Sequence, residues 1–267
     1  MIVSKPVPVM PCHAARKTIS LLAAIVLLIA ALPAPAQEDG GPRSLLITYR
    51  STAANRPAFR QYLQGPASAR FDALKTAGKI ADYQFLFNWY NDALTWDAMA
   101  IIQFRDYADI AHWNALEQIS PGGLDADGLA LGQPVITISA DLQWEDGAAA
   151  AAGSGRVFYL IPYEYRERAE YTRYVDGYVI PQLQGWMREG VLSRYRIFMN
   201  RYPVGASWDA LFVYEYRDLE SFGHREPVIA KVRGPLRENP EWAALSAIKQ
   251  QIRSESENVI ADDLRAR

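Results

Sequence analysis

Two successions of β-rich runs and amphipathic stretches occur along the chain in the same order. Residues 44–50 and 156–163 alternate or run together apolar side chains over strand-like lengths. Residues 55–76 and 167–188 then place apolar side chains three or four apart, which predicts a helix in each repeat, with Gly65, Gly177 and Gly185 as the points where it would break. Gly78 and Gly190 follow where a left-handed residue would end the helix. Residues 83–90 and 195–202 read as second strands, and 96–104 and 208–216 as third strands. Asp106 and Asp218 stand where they would cap a following short helix. A long loop over 121–134 precedes a fourth strand at 135–140; a helix at 242–254 precedes its counterpart at 258–261.

The recurrence extends to residue identities. A shift of 112 residues aligns 56–112 with 168–224 without a gap, and 13 of the 57 positions are identical, against roughly three or four expected at average composition. Trp96-Asp97-Ala98, Arg105-Asp106 and His112 recur as Trp208-Asp209-Ala210, Arg217-Asp218 and His224. The chain is an internal duplication. Each copy has the order β-α-β-β-α-β, the split unit of an α+β ferredoxin-like fold, whose sheet has helices on one side and a bare face on the other. The bare faces of the two units are expected to curl together into a pseudo-dimeric α/β barrel within one chain; pairing with a second copy, as a homodimer, is the alternative. Units at 37–146 and 156–267 would be joined by a linker at 147–155, rich in Ala, Gly and Ser.

The N-terminal 36 residues fall outside this scheme. Lys5, Arg16 and Lys17 precede an apolar run at 18–32 and Ala34-Pro35-Ala36, the pattern of a cleaved export signal, which predicts a periplasmic or secreted protein with no stable membrane insertion after cleavage. Removing 1–36 takes three of the 28 basic residues and none of the 30 acids, so the formal charge becomes 25 minus 30, or −5. That is no footprint for nucleic acid. It also removes Cys12, the one cysteine, and leaves His112 and His224 as the only imidazoles. Disulfides, thiolate catalysis and a three-histidine metal site within one chain are thereby excluded.

The segment from Tyr214 through Glu215, Tyr216, Arg217, Asp218 and Phe222 to His224 resembles the strand-to-helix signature of the dimeric α/β-barrel superfamily, which includes antibiotic-biosynthesis-type monooxygenases and NIPSNAP-like proteins. The resemblance covers about 100 residues of each half and implies the barrel fold. It matches Glu215 to an acid late in the third strand and His224 to a helix histidine; the first copy has Gln103 in place of the acid. The superfamily spans cofactor-free oxygenases, lyases, isomerases and haem enzymes, so it implies no single activity.

Strand alternation supplies the candidate chemistry. Trp96, Ala98, Ala100, Ile102 and Phe104 are expected to face the helices, and Asp97, Met99, Ile101, Gln103 and Arg105 the barrel interior, with Asp209, Leu211, Val213, Glu215 and Arg217 as their counterparts. Asn88 with Tyr90, and Asn200 with Tyr202, share faces on the second strands. Asn88, Tyr90, Asp97, Arg105, Asn200, Tyr202 and Asp209 are candidate ligand contacts for a small hydrophobic or aromatic molecule; the alternative is that they satisfy one another. Glu215, His224, His112 and Arg217 are the candidate catalytic groups of a cofactor-independent oxygenase, isomerase or lyase acting on an aromatic or quinone-like substrate. Haem ligation by either histidine is a second alternative. No metal site and no cofactor is otherwise indicated. Gln103 cannot act as a carboxylate base, so proton transfer is expected in the second half.

Overall fold

Along β1 (Ser44–Ser51), Leu45, Ile47 and Tyr49 pack to one side and Leu46 to the other, so the strand lies between two apolar layers. A computed structural model describes residues 43–148 and 155–265. The expected signal at 1–36 and residues 149–154 of the expected linker lie outside the described residues. The first half continues through α1 (Arg56–Tyr62), a π-helical turn (Leu63–Ala67), α2 (Ser68–Thr76), β2 (Asp82–Asn88), β3 (Ala98–Gln103), α3 (Tyr107–Glu117), a 3-10 turn (Pro121–Gly123), α4 (Ala126–Leu131) and β4 (Gly132–Gly147). The second half comprises β5 (Val157–Tyr165), α5 (Arg168–Tyr174), a π-helical turn (Val175–Val179), α6 (Ile180–Arg188), β6 (Leu192–Asn200), β7 (Ala210–Tyr216), α7 (Leu219–Gly223), α8 (Arg225–Leu236), α9 (Pro240–Ile252), β8 (Arg253–Glu255) and β9 (Val259–Asp263).

The strands order as β4-β1-β3-β2 in one half and β9-β5-β7-β6 in the other. Antiparallel pairs β4–β6 and β2–β9 join them, closing an eight-stranded barrel on which β8 extends β5. Strand direction alternates around the ring, so β1 and β5 run the same way and the pseudo-two-fold lies along the barrel axis. Each barrel end is therefore built from equivalent parts of both halves. Leu46, Met99, Ile101, Phe158, Leu211 and Val213 fill the waist, while separate clusters lie between sheet and helices in each half. This is the expected α+β fold, two ferredoxin-like units in one pseudo-dimeric barrel.

Four local features differ from the sequence reading. The long helices do not break at Gly65 and Gly177 but widen into π-helical turns there. Pro66 and Pro181 cannot donate to the carbonyls one turn back, and the shifted ladder absorbs that fault. The fourth strand of the first half runs to 16 residues, because beyond Ala140 it pairs with β6 and crosses into the second half's sheet. The loop at 121–134 contains α4, capped by Asp125. Trp96 and Trp208 pack against the barrel interior instead of the helices: both precede their strands, where alternation does not yet hold.

Candidate functional site

The repeated polar residues fasten the two β-hairpins. Asn88 donates through Nδ2 to the Trp96 carbonyl at 3.0 Å and accepts from the Tyr90 amide at 3.0 Å. Asn200 makes the same pair with Trp208 at 2.9 Å and Tyr202 at 2.9 Å. Asp97 accepts from the Ser51 amide and from Arg56, each at 2.8 Å, and Asp209 from the Tyr165 amide at 2.9 Å. Met99, Ile101, Leu211, Val213 and Glu215 do face inward as expected, whereas Arg105 and Arg217 do not. Arg105 donates to Asp109 and to the Gly78 carbonyl, and Arg217 to Asp218 and Ser221, both from exposed positions beyond the strand ends. Tyr90 and Tyr202 are largely exposed.

Glu215 lies inside the barrel, buried. Its carboxylate pairs with Arg156 at 3.0 Å, and Arg156 also pairs with Asp263 at 3.0 Å. Gln84 donates to Asp263 at 2.8 Å and accepts from Arg196. Burial, with Arg194 nearby, brings the Arg196 guanidinium down to about 10, still charged at neutral pH. With Gln103, Arg194 and Arg265 these groups line a polar cavity of about 110 Å³ at the barrel end where β3 and β7 finish. His224 is remote in kind from this cluster: exposed at the end of α7, its Nδ1 lies 3.0 Å from the Glu220 carbonyl. His112 is exposed on α3. The structure thus does not bring His112, His224 or Arg217 to Glu215.

Between sheet and helices the halves part company. In the first, Phe71 contacts Phe85, Tyr83 and Trp113 with centroids 4.9, 5.1 and 5.8 Å apart. The Pro121–Gly123 turn seals this cluster: Tyr49 donates to the Gly122 carbonyl at 2.7 Å, and a Cβ at Gly123 would come 2.7 Å from Phe71 and 2.8 Å from Trp113. In the second half Leu183 and Arg225 stand at the positions of Phe71 and Trp113, and a cavity of about 240 Å³ remains. Its walls include Tyr159, Tyr163, Tyr174, Tyr178, Tyr214, Tyr216, Trp186 and Phe212. Tyr174, Tyr178 and Trp242 form a continuous stack with spacings of 5.1 and 4.7 Å.

Polar groups around that cavity are unevenly paired. Arg253 contacts Glu255 at 2.7 Å and lies 4.7 Å over the Tyr163 ring; Arg225 contacts Glu226 at 3.4 Å. Arg233 donates to Gln182 at 2.7 Å, and Lys249 sits over Tyr178; among the described residues neither has a carboxylate within ion-pair distance. The buried indole N–H of Trp186 has no hydrogen-bond partner among the described residues. Burial pushes the Tyr163, Tyr214 and Tyr216 phenols up, so they stay neutral hydrogen-bond donors around neutral pH. The wall is thus aromatic, donor-rich and cationic in excess, four basic groups against two carboxylates. No imidazole lines this cavity, so neither His112 nor His224 is placed to ligate a haem iron there.

The sequence reading missed these residues because it weighed identities between the copies, and this cavity is made of differences. Tyr171, Tyr174 and Tyr178 at helical spacing, and Tyr159 with Tyr163 on alternate strand positions, were the available signal. Among the described residues no group of three or more His, Cys, Asp or Glu side chains is placed to hold a metal ion, and no helix is long and apolar enough to cross a membrane.

No family model and no curated protein sequence matches the chain. Solved structures do. An anthrone oxidase-like protein aligns with a TM-score of 0.52 at 10% identity over 85% of this chain and 92% of its own. A mutant chlorite dismutase from Candidatus Nitrospira defluvii, in complex with cyanide, gives 0.51 at 10% identity over 85% and 95%. A proposed monooxygenase from Lactobacillus acidophilus NCFM gives 0.50 at 11% identity over 84% and 95%. At such identities the likeness is one of fold. The chain shares with them a ferredoxin-like α/β-barrel fold, with both units on one polypeptide.

Proposed function

We propose that this protein binds a small aromatic molecule carrying an anionic group, held between the sheet and the helices of its second half. The observation that carries the reading is the contrast at one pair of positions: Trp113 closes the first half, and Arg225 leaves the second open. Apolar walls with a few convergent polar groups are the usual make-up of a ligand pocket. Stacked tyrosines favour a flat ring, while Arg233, Lys249 and the Trp186 N–H offer unspent donors to a carboxylate or phenolate. Fold neighbours named as an oxidase-like protein and a chlorite dismutase make small-molecule chemistry a reasonable setting.

Binding without turnover is the form we favour. Alternation along β7 puts Glu215 on the opposite face from Tyr214 and Tyr216, so this carboxylate cannot reach a ligand in the cavity. An oxygenase, isomerase or lyase would have to draw its base from Glu226 or Glu255. The test is calorimetry with 4-bromobenzoate. Binding should weaken by about tenfold or more in Arg233→Gln/Lys249→Gln and vanish in Ile229→Trp, which fills the space. Equal affinity in all three proteins refutes the reading. Export through residues 1–36 belongs to the same proposal, and a mature N-terminus at Gln37 is its check.

A further inference from the structure

A different cavity, of about 250 Å³, opens at the barrel end where β1 and β5 finish. Its lining follows the pseudo-two-fold in pairs: Trp96 with Trp208, Met99 with Leu211, Ile136 with Val259. We propose that this mouth is a second binding site, for a neutral hydrophobic molecule of one or two rings.

Three observations converge on that ligand. The first is size. A dry apolar cavity of roughly 150 Å³ takes up benzene, and this one is larger, with Met99 and Leu211 as its fully buried floor. The second is why it stays open. Side chains around a void relax only partially into it, and here the backbone that carries each tryptophan is held by its hairpin, Asn88 donating to the Trp96 carbonyl at 3.0 Å and Asn200 to the Trp208 carbonyl at 2.9 Å. The repeated asparagines thus fix the main chain from which the two aromatic walls project. The third is charge. One cation, Arg50, and one anion, Glu257, line the cavity, and Arg50 donates to the Ala93 carbonyl at 2.7 Å. That balance gives an ionised ligand no advantage, unlike the cationic excess of the tyrosine-lined cavity. Around the rim Leu94 is 76% and Val135 50% exposed, apolar surface that a seated ring would shield from water.

The probes are 4-bromobenzyl alcohol, which is neutral, and 4-bromobenzoate, which is not, both followed by calorimetry and by bromine anomalous scattering from soaked crystals. The alcohol should place its bromine between Trp96 and Trp208. Its affinity should fall by about tenfold or more in Leu211→Trp, which fills the floor, and in Ile136→Trp, which blocks the mouth from a half-exposed position that tolerates bulk. Both variants should bind 4-bromobenzoate as the parent does, which also certifies their folding. Bromine from the alcohol in the tyrosine-lined cavity, or nowhere, overturns the proposal. So does unchanged alcohol affinity in Ile136→Trp. Failure of the benzoate alone would count against the tyrosine-lined site and leave this one standing.

Discussion

The two halves of the barrel share a backbone plan and divide its polar content. At four equivalent interior positions the first half has Ser44, Gln84, Gln103 and Ala140, and the second has Arg156, Arg196, Glu215 and Asp263. Outside the sheet, the first half packs Phe59, Phe104 and Trp113 where the second carries Tyr171, Tyr216 and Arg225. The asparagines that hold the hairpins and the aspartates that cap the helices after β3 and β7 are the same in both. The difference teaches that duplicated identities mark scaffold here, and that specialised chemistry is to be sought where the copies disagree.

The largest test of this contrast is to remove the guanidinium at the centre of the charged cluster. Arg156→Met withdraws the ion pair that Glu215 and Asp263 share inside the barrel, with a loss of about 3–5 kcal/mol expected. Converting all four positions to their first-half counterparts, Arg156→Ser, Arg196→Gln, Glu215→Gln and Asp263→Ala, should cost less than Arg156→Met alone, because no buried charge remains uncompensated. Urea unfolding of both variants decides it. A quadruple variant less stable than the single one would mean that the cluster stabilises the barrel outright.

The next test exchanges the outer layers. Trp113 is buried among Phe71 and Phe104, so Trp113→Ala should destabilise by about 3–5 kcal/mol. Arg225→Trp, the reverse graft, should change stability by less than about 1.5 kcal/mol, since it fills existing space while giving up the Arg225 contact with the Phe222 carbonyl. It should also abolish benzoate binding. Thermal unfolding with and without ligand reads both effects.

How much of this was legible beforehand follows from the same division. Periodicity and the repeat exposed the element order, Gly78 and Gly190 with positive φ, and the caps at Asp106 and Asp218, because each depends on local backbone geometry. The inward face of Met99, Ile101 and Glu215 was legible from alternation. The partners of Glu215 were not, since Arg156 lies 59 residues away and reaches it only after β5 pairs with β7. Arg217, expected to face inward with Glu215, is exposed because β7 ends at Tyr216 and alternation does not carry past it. Nor does a sequence reveal a cavity, which is the volume left when facing side chains fall short of each other.

Alkaline titration offers a gentler comparison. Burial raises the phenol of Tyr49, and of Tyr62 and Tyr83 to about 12, in the first half. In the second half eight tyrosines are raised: Tyr159, Tyr163, Tyr165, Tyr171, Tyr174, Tyr195, Tyr214 and Tyr216. Raised acids favour the protonated, folded state, so this stability is complete below the unfolded value of roughly 10 and erodes as pH climbs above it. Hydrogen exchange above that pH should therefore accelerate first in β5, α5 and β7. Uniform acceleration across both halves would show that the tyrosine layer does not set alkaline stability.

The smallest effect is expected where the halves agree. Asp106 accepts from the amides of Ala108 and Asp109, and Asp218 from that of Ser221, each closing the exposed start of a helix. Replacing either by Ala should cost about 1 kcal/mol, and replacing either by Asn much less, because an amide oxygen caps nearly as well as a carboxylate. In Asp218 the Ser221 amide and hydroxyl, helped by Arg217, hold the carboxyl down to about 2. A depressed acid stabilises the fold above its unfolded value and loses that contribution as pH falls through the folded one, here between roughly 4 and 2. Asp218→Asn has no such proton to take up, so its stability should converge on that of the parent across this window. Acid-induced unfolding followed by circular dichroism tests the convergence. If Asp218→Ala and Asp106→Ala differ by more than their shared geometry allows, even the scaffold has diverged between the copies.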